Sequence, residues 1–379
     1  MRTLFAALLT AGLAAAAAAQ DPPPQPKKPE PAKPFLDDEK KETKSLKVGD
    51  PAPKLQPTKW LQGSEVAEFA PGKTYVVEFW ATWCGPCIVM MPHMAEMQRE
   101  FKDKGVTFIG YSAKDPNNSA EKVAEFVQKR GPKLGYTFAY DDDRETYDAY
   151  MKAAGQNGIP CSYVVDKEGK IAYIGHPMFL GLVVPKVAEG KWTKDDLTSL
   201  AKADKDVDAV FASFRKPDAE EGLKAIADFE KQYPALHDVP YFVQPKLGLM
   251  LKAKKYDQVK AEAEKLIARA VKQDDPTLLR SVSGALRGPD AKDQKELIKL
   301  AVEAAETGVK VAGDKDPIAL FGVAQAHLAA GDKDKAKEYG QKAIAAADSD
   351  GLKKALEREV KKFDEEEKKD DKKEEKKDK

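Results

Sequence analysis

The chain has 379 residues, 63 basic and 63 acidic side chains and a formal net charge of zero. Lysine and acidic residues are intermixed, so no basic face for nucleic acid or anionic lipid is expected, and the length leaves room for two domains with substantial cores. Three cysteines are too few for a disulfide-stapled scaffold, and a closely spaced pair among them reads as reactive rather than structural.

Residues 1–19 carry one arginine and then an apolar run ending in alanines before Gln20. This pattern reads as a secretory signal, cleaved after Ala19 or retained as an anchor. No cysteine lies near that point, so a lipid-anchored start is not expected. No later stretch reaches the roughly 18 uninterrupted apolar residues of a membrane span. Residues 20–46 form a linker, dominated by proline and lysine from Asp21 to Pro34, which favours extended chain over a packed element.

Residues 47–192 alternate element types. Thr74–Trp80 is nearly all apolar, as a central strand covered on both faces requires. A helix is expected over Cys87–Phe101 and a second buried strand over Val106–Ser112, together a βαβ unit. Ser119–Lys129 places Val123, Phe126 and Val127 on one helical face, with Asn118 or Ser119 as N-cap. Phe138–Tyr140 predicts a short strand and Glu145–Ala153 a helix. Ser162–Asp166 and Ile171–Ile174 flank the turn Lys167-Glu168-Gly169-Lys170 and predict a closing hairpin. The expected fold class is α/β, a mixed sheet with helices on both faces.

Between the first strand and its helix stands Trp83-Cys84-Gly85-Pro86-Cys87. Unpaired N–H groups and the macrodipole at a helix N-terminus stabilise anions, so Cys84 is expected to carry thiolate character. Cys87 lies one turn further on the same face and can resolve a mixed disulfide on Cys84. Pro86 fits a first turn in which backbone N–H groups have no intrahelical acceptor in any case.

This stretch resembles the active site of thioredoxins, and other residues extend the likeness. Pro92 stands inside the helix, and Gly158-Ile159-Pro160 precedes the later apolar run. Val48-Gly49-Asp50-Pro51-Ala52-Pro53 looks like the opening of the redoxin branch, which includes TlpA-like disulfide reductases and peroxiredoxins. The resemblance covers about Lys47 to Trp192. It implies a thioredoxin-like fold, a redox disulfide between Cys84 and Cys87, a cis bond before Pro160 that sets backbone beside the reactive sulfur, and substrate contact by Trp83, Gly85, Pro86 and Ile159.

Glu78 is the ionisable residue of the central strand, and a carboxylate there needs a partner or a raised pKa. The resemblance implies proton exchange with the second cysteine; the alternative is an ion-paired structural carboxylate. Cys161 follows Pro160 directly and reads either as a small buried hydrophobe or as a third thiol that relays a disulfide. Zinc on Cys84 and Cys87 would need two more ligands at ordered spacing, and the four histidines are scattered. Neither a metal nor a cofactor is expected.

From Thr193 the sequence turns to alanine- and lysine-rich helical patterns, giving an expected all-α domain over residues 193–363. Asp218–Tyr233 predicts one helix, and Leu247-Gly248-Leu249 followed by Tyr256 to Ile267 a helical hairpin. Two further helices fall in Pro276–Val311, and Leu320 to Ile344 repeats the hairpin plan. In that copy Ala326, Leu328, Gly331, Ala336, Tyr339 and Ala343 resemble the small and aromatic positions of tetratricopeptide repeats; a non-repeat helical bundle is the alternative. Residues 364–379 mix lysine with acidic residues and predict a solvated tail.

The sequence therefore reads as an exported thiol-disulfide oxidoreductase acting on disulfide-bearing proteins in the periplasm or another extracytoplasmic space. An upstream electron-donor protein is implied, and a polypeptide partner on the helical domain. A peroxiredoxin-type peroxidase is disfavoured because Ala81 and Val77 stand where that family has threonine and proline. A repeat-type scaffold with an accessory redoxin domain remains the other class; activity on a disulfide separates the two.

Overall fold

The computed structural model describes residues 45–237, 239–347 and 349–374. The expected signal segment, the linker up to residue 44 and the tail beyond residue 374 lie outside the described residues.

β1 (Lys59–Gln62) is a short, partly exposed edge strand that sequence periodicity does not mark, because four residues carry too little alternation. β2 (Thr74–Trp80) is buried along its whole length. α1 (Gly85–Phe101) and β3 (Val106–Ala113) follow, and β3 lies parallel to β2. α2 (Ala120–Leu134) begins on Ser119, whose hydroxyl accepts the Lys122 N–H. It runs past Gly131-Pro132, where the apolar pattern stops. The Gln62 side-chain amide of β1 donates to the Gly131 carbonyl at 2.8 Å, and Gly135 ends the helix in the left-handed region at φ 72°. A side chain on Gly131 would collide with that glutamine.

β4 (Thr137–Asp141), α3 (Glu145–Tyr147), which continues as a π turn to Lys152, and the hairpin β5 (Cys161–Val165) and β6 (Ile171–Gly175) complete the sheet. Strand order is β1-β4-β3-β2-β5-β6, with β2/β3 and β3/β4 parallel and the other pairs antiparallel. This is a thioredoxin-like sheet. Period-two alternation sends Val76, Trp80, Phe108 and Val164 to one face, where Cys84 and Cys87 also pack. Val77, Phe79, Tyr111 and Tyr163 go to the other, against Leu55 and Tyr150.

α4 (Leu180–Ala188) is not legible in the sequence as a helix, since it is apolar nearly all round and carries Pro185. Everything after it is helical among the described residues: α5 (Lys194–Ser213), α6 (Ala219–Gln232), α7 (Val243–Lys252), α8 (Tyr256–Lys272), α9 (Pro276–Leu286), α10 (Lys295–Ala312), α11 (Pro317–Ala329), α12 (Lys333–Ala345) and α13 (Asp350–Glu374). Start signals are explicit in the sequence. Thr193 and Asp196 form a reciprocal capping box, and Asp275 and Asp316 each cap a helix that opens on proline.

One apolar cluster runs from the α1 and α4 side of the sheet into Val207 and Val210 of α5, Ile226 and Phe229 of α6 and Leu249 of α7. Separate clusters serve α7 to α10 and α11 to α13. Gly181 in α4 approaches the Ala235 carbonyl so closely that a Cβ there would overlap it.

Candidate active site

β2 delivers the chain through Ala81-Thr82-Trp83 to Cys84, which is the N-cap of α1. Asn118 fixes this turn. Its side-chain oxygen accepts from Thr82 N and Oγ1, both at 2.9 Å, while its amide donates to Ser112 Oγ at 2.9 Å and to the Ala113 carbonyl at 2.8 Å. A fully buried asparagine with these bonds ties the reactive turn to the end of β3.

Cys84 and Cys87 are joined by a disulfide of 2.02 Å with Cα atoms 5.3 Å apart. The Cys84 sulfur also accepts the Cys87 N–H at 3.2 Å. In the reduced protein the same N–H and the helix dipole would face a Cys84 thiolate, the arrangement that lowers a thiol pKa. Both cysteines are buried in the apolar cluster that also holds Met90, Met91 and the α4 side chains. Trp83, by contrast, is 55% exposed, with its indole N–H held by Asp115 at 2.9 Å.

Glu78 shares the β2 face of Val76 and Trp80, beneath α1, and is 1% exposed. Its register partner on β5 is Ser162, whose hydroxyl donates to Oε2; the carboxylate meets a hydroxyl there, not a cation. Oε1 is buried without a hydrogen-bond partner among the described residues. Burial pushes the Glu78 pKa up to about 8, against the smaller lowering effect of Ser162. A carboxyl so placed changes charge within the range where thiols also exchange protons.

The Ile159–Pro160 bond is cis. Ile159 and Trp83 line a cavity of about 330 Å³ together with Phe79, Asp115 and Asn157. Gly85 has open space where a side chain would stand. Cys161 pairs in register with Phe79, so its thiol lies on the opposite sheet face from Glu78, among Tyr150 and Tyr163. It is free of any disulfide, and burial pushes its pKa up to about 12.

The helical half adds residues that local patterns do not mark. Tyr241, in the single turn Pro240–Phe242, donates its hydroxyl to the Pro86 carbonyl at 3.0 Å. The Tyr241 hydroxyl oxygen is also 3.5 Å from His176 Nε2. Because His176 Nδ1 accepts the Met178 N–H at 3.2 Å, the ring proton belongs on Nε2, facing Tyr241. Burial lowers the His176 pKa to about 4 and keeps the imidazole neutral. Pro86 and Tyr241 are 155 residues apart, so no sequence window contains both.

A cysteine pair closed into a disulfide at a helix N-terminus, on a mixed sheet of this order with a cis-proline at the entry to β5, defines a thioredoxin-fold thiol-disulfide oxidoreductase. The Redoxin family model matches residues 47–181. Protein FixW of Rhizobium leguminosarum is 34% identical over 152 residues, 39% of this chain and 69% of FixW. The thiol-disulfide oxidoreductase ResA of Bacillus thuringiensis (strain Al Hakam) is 33% identical over 138 residues, 36% of this chain and 71% of that protein. ResA of Geobacillus thermodenitrificans is 31% identical over 126 residues, 33% of this chain and 60% of its own length. Among solved structures, the thioredoxin domain of a thiol-disulfide oxidoreductase from Bacteroides vulgatus aligns at 27% identity and a TM-score of 0.29, over 34% of this chain and 86% of that one. The chain belongs to the redoxin family of thiol-disulfide oxidoreductases. The family model ends at residue 181, before α5 begins.

Proposed function

We propose that the chain is an exported disulfide reductase that uses Cys84 as nucleophile and Cys87 as resolving thiol. The observation that carries this reading is the Cys84–Cys87 disulfide at the N-terminus of α1. In the reduced protein the Cys84 thiolate attacks one sulfur of a substrate disulfide, forming a mixed disulfide and expelling the other substrate sulfur as thiolate. Cys87, having passed its proton to Glu78 in its ionised form, then attacks the Cys84 sulfur, and the mixed disulfide breaks with the second substrate sulfur leaving as thiolate. The substrate leaves as dithiol, and the enzyme keeps the disulfide until a donor protein returns two electrons. Net reduction is favoured because Gly85-Pro86 between the cysteines resembles the reducing members of the family. Among the described residues no helix is long and apolar enough to cross a membrane, and the N-terminal sequence pattern supports export to an extracytoplasmic space.

Pro160 and Ile159 are assigned to backbone and side-chain contact with the bound polypeptide, and Trp83, Gly85 and Pro86 to the rim around Cys84. Cys161 is assigned no chemistry; its burial and its place across the sheet support the packing reading. The helical half is assigned to partner binding. Its α11/α12 hairpin supports a tetratricopeptide-like plan, with Ala326, Ala336 and Ala343 fully buried and Gly331 at φ 78° in the connecting turn.

The test is Cys87→Ser in the full chain. Resolution is blocked, so a disulfide-bearing substrate stays covalently on Cys84 and is released by dithiothreitol. Failure of Cys87→Ser to hold substrate that the unmodified protein reduces would reverse the assignment of the two sulfurs.

A further inference from the structure

A cleft of about 1090 Å³ has two unlike walls. One wall is the redoxin side: Trp83 and Ile88 beside the disulfide, then Pro92 of α1 and Phe126 of α2. The other comes from α9 to α11, which the family model does not include. At the top of the roughly 300–1,000 Å³ that small-ligand pockets span, it suits a length of chain better than a small molecule.

Two independent features describe what would lie in it. Four large hydrophobic side chains are exposed among the described residues, and two of them, Trp83 at 55% and Ile318 at 36%, line this cleft from opposite walls. Exposed apolar surface rimmed by charge marks an interaction site. The second feature is charge: seven basic and three acidic side chains line the cleft, in a chain whose net charge is zero. The acids are already engaged. Glu125 pairs with Lys129, Asp274 with Lys133 at 3.3 Å, and Asp316 caps α11 through the Ile318 and Ala319 N–H groups. Arg280, Arg287 and Lys310 are left with no ion pair among the described residues, whereas Arg130 already feels the charges of Asp275 and Asp316.

We propose that this cleft docks an extended acidic polypeptide segment flanking the disulfide to be reduced, an inference that rests on the reductase reading above. Apolar residues of that segment meet Trp83 and Ile318, and its carboxylates meet the guanidinium and ammonium groups between them. The cleft runs up to Trp83, next to Cys84, so a chain seated in it approaches the disulfide from the α1–α2 side. Tyr241 closes over Pro86 from the helical half. The helical half thus acts as one wall of the substrate site and selects substrates by the charge near their cystine.

Binding and turnover are measured separately. The full chain carrying Cys84→Ser and Cys87→Ser is titrated with a fluorescein-labelled linear peptide of Glu, Gly and Leu, and with its counterpart in which every Glu is Lys. The Glu peptide is expected to bind at least about tenfold tighter, with an affinity that falls as salt is raised. Arg280→Glu with Lys310→Glu, both exposed positions outside the disulfide turn, removes that preference. In the chain with intact cysteines the same pair of substitutions lowers kcat/KM for a Glu-flanked cystine peptide and leaves reduction of the small uncharged bis(2-hydroxyethyl) disulfide unchanged. Equal binding of the two peptides, or a preference that survives charge reversal, overturns the proposal. If peptide binding behaves as expected while neither disulfide is reduced, the reductase reading fails and the docking site stands.

Discussion

Glu78 concentrates the consequences of burial in one side chain. Its pKa is raised from 4.5 to about 8 by desolvation, so the folded chain prefers the protonated carboxyl. Stability from this group is therefore complete below pH 4.5, declines as pH rises and the unfolded chain ionises first, and is lost once pH passes about 8. A pKa raised that far corresponds to a free energy on the order of 5 kcal/mol. Glu78→Gln keeps a neutral group of the same shape against Ser162, so its melting temperature is expected to match the unmodified protein near pH 4.5 and to exceed it at pH 8. Thermal scans across that window check this. If Glu78 takes the Cys87 proton, single-turnover release of substrate from Cys84 slows in the same variant while the initial attack changes less. An unchanged pH–rate profile would remove Glu78 from the chemistry. The need for tuning at this residue is legible in the sequence, because a lone carboxylate in an apolar strand is expensive. The hydroxyl that meets it is not: Ser162 is 84 residues away and faces Glu78 only through strand register.

At the scale of elements, the informative contacts lie between α4 or α1 and the segments that follow α6. Gly181 of α4 is where the Ala235 carbonyl comes closest. Gly181→Ala must push the two apart, at a cost of about 1–3 kcal/mol for overpacking a tight contact, read as a lowered melting temperature with the sheet intact by circular dichroism. Tyr241→Phe keeps the ring beside His176 and removes the bond to Pro86. Its expected cost is about 1 kcal/mol, and a shift of the Cys84–Cys87 reduction potential would show that the helical half acts on the disulfide. A potential equal to that of the unmodified protein would leave Tyr241 a purely structural contact. Elements with a long unbroken pattern, such as β2, α1 and β3, are readable from sequence to within about two residues. β1 and α4 are not, since one is too short for periodicity and the other too uniformly apolar.

For the whole molecule the question is where one cooperative unit ends. The cluster on the disulfide side of the sheet continues into α5, α6 and α7, whereas the cluster on the opposite face closes within residues 46–174. A fragment of residues 47–192 is expected to fold around the sheet and to keep disulfide reductase activity. It also exposes the outer face of α4, so its melting temperature is expected to fall by more than about 5 °C, and extension to residue 253 is expected to restore most of the loss. Equal melting temperatures for the 47–192 fragment and the full chain would show that the junction contributes nothing to stability. Absence of a cooperative transition in the short fragment would show that the two halves need one another to fold.

Sequence alone determined the local features: the disulfide turn at a strand-to-helix junction, the buried carboxylate six residues before Cys84, the order of strands and helices from Thr74 to Ile174 and the helical character beyond residue 193. Each of these is written in neighbouring residues, through periodicity, capping and the spacing of two cysteines. Tertiary structure alone decided which groups stand opposite them. Strand register set Ser162 against Glu78 and sent the Cys161 thiol to the far side of the sheet, and the fold of the helical half brought Tyr241 to Pro86 and α9 to α11 across from Trp83. Those pairings join positions far apart in the chain, and they depend on how apolar faces close over one another, a property of the assembled core that no local pattern encodes.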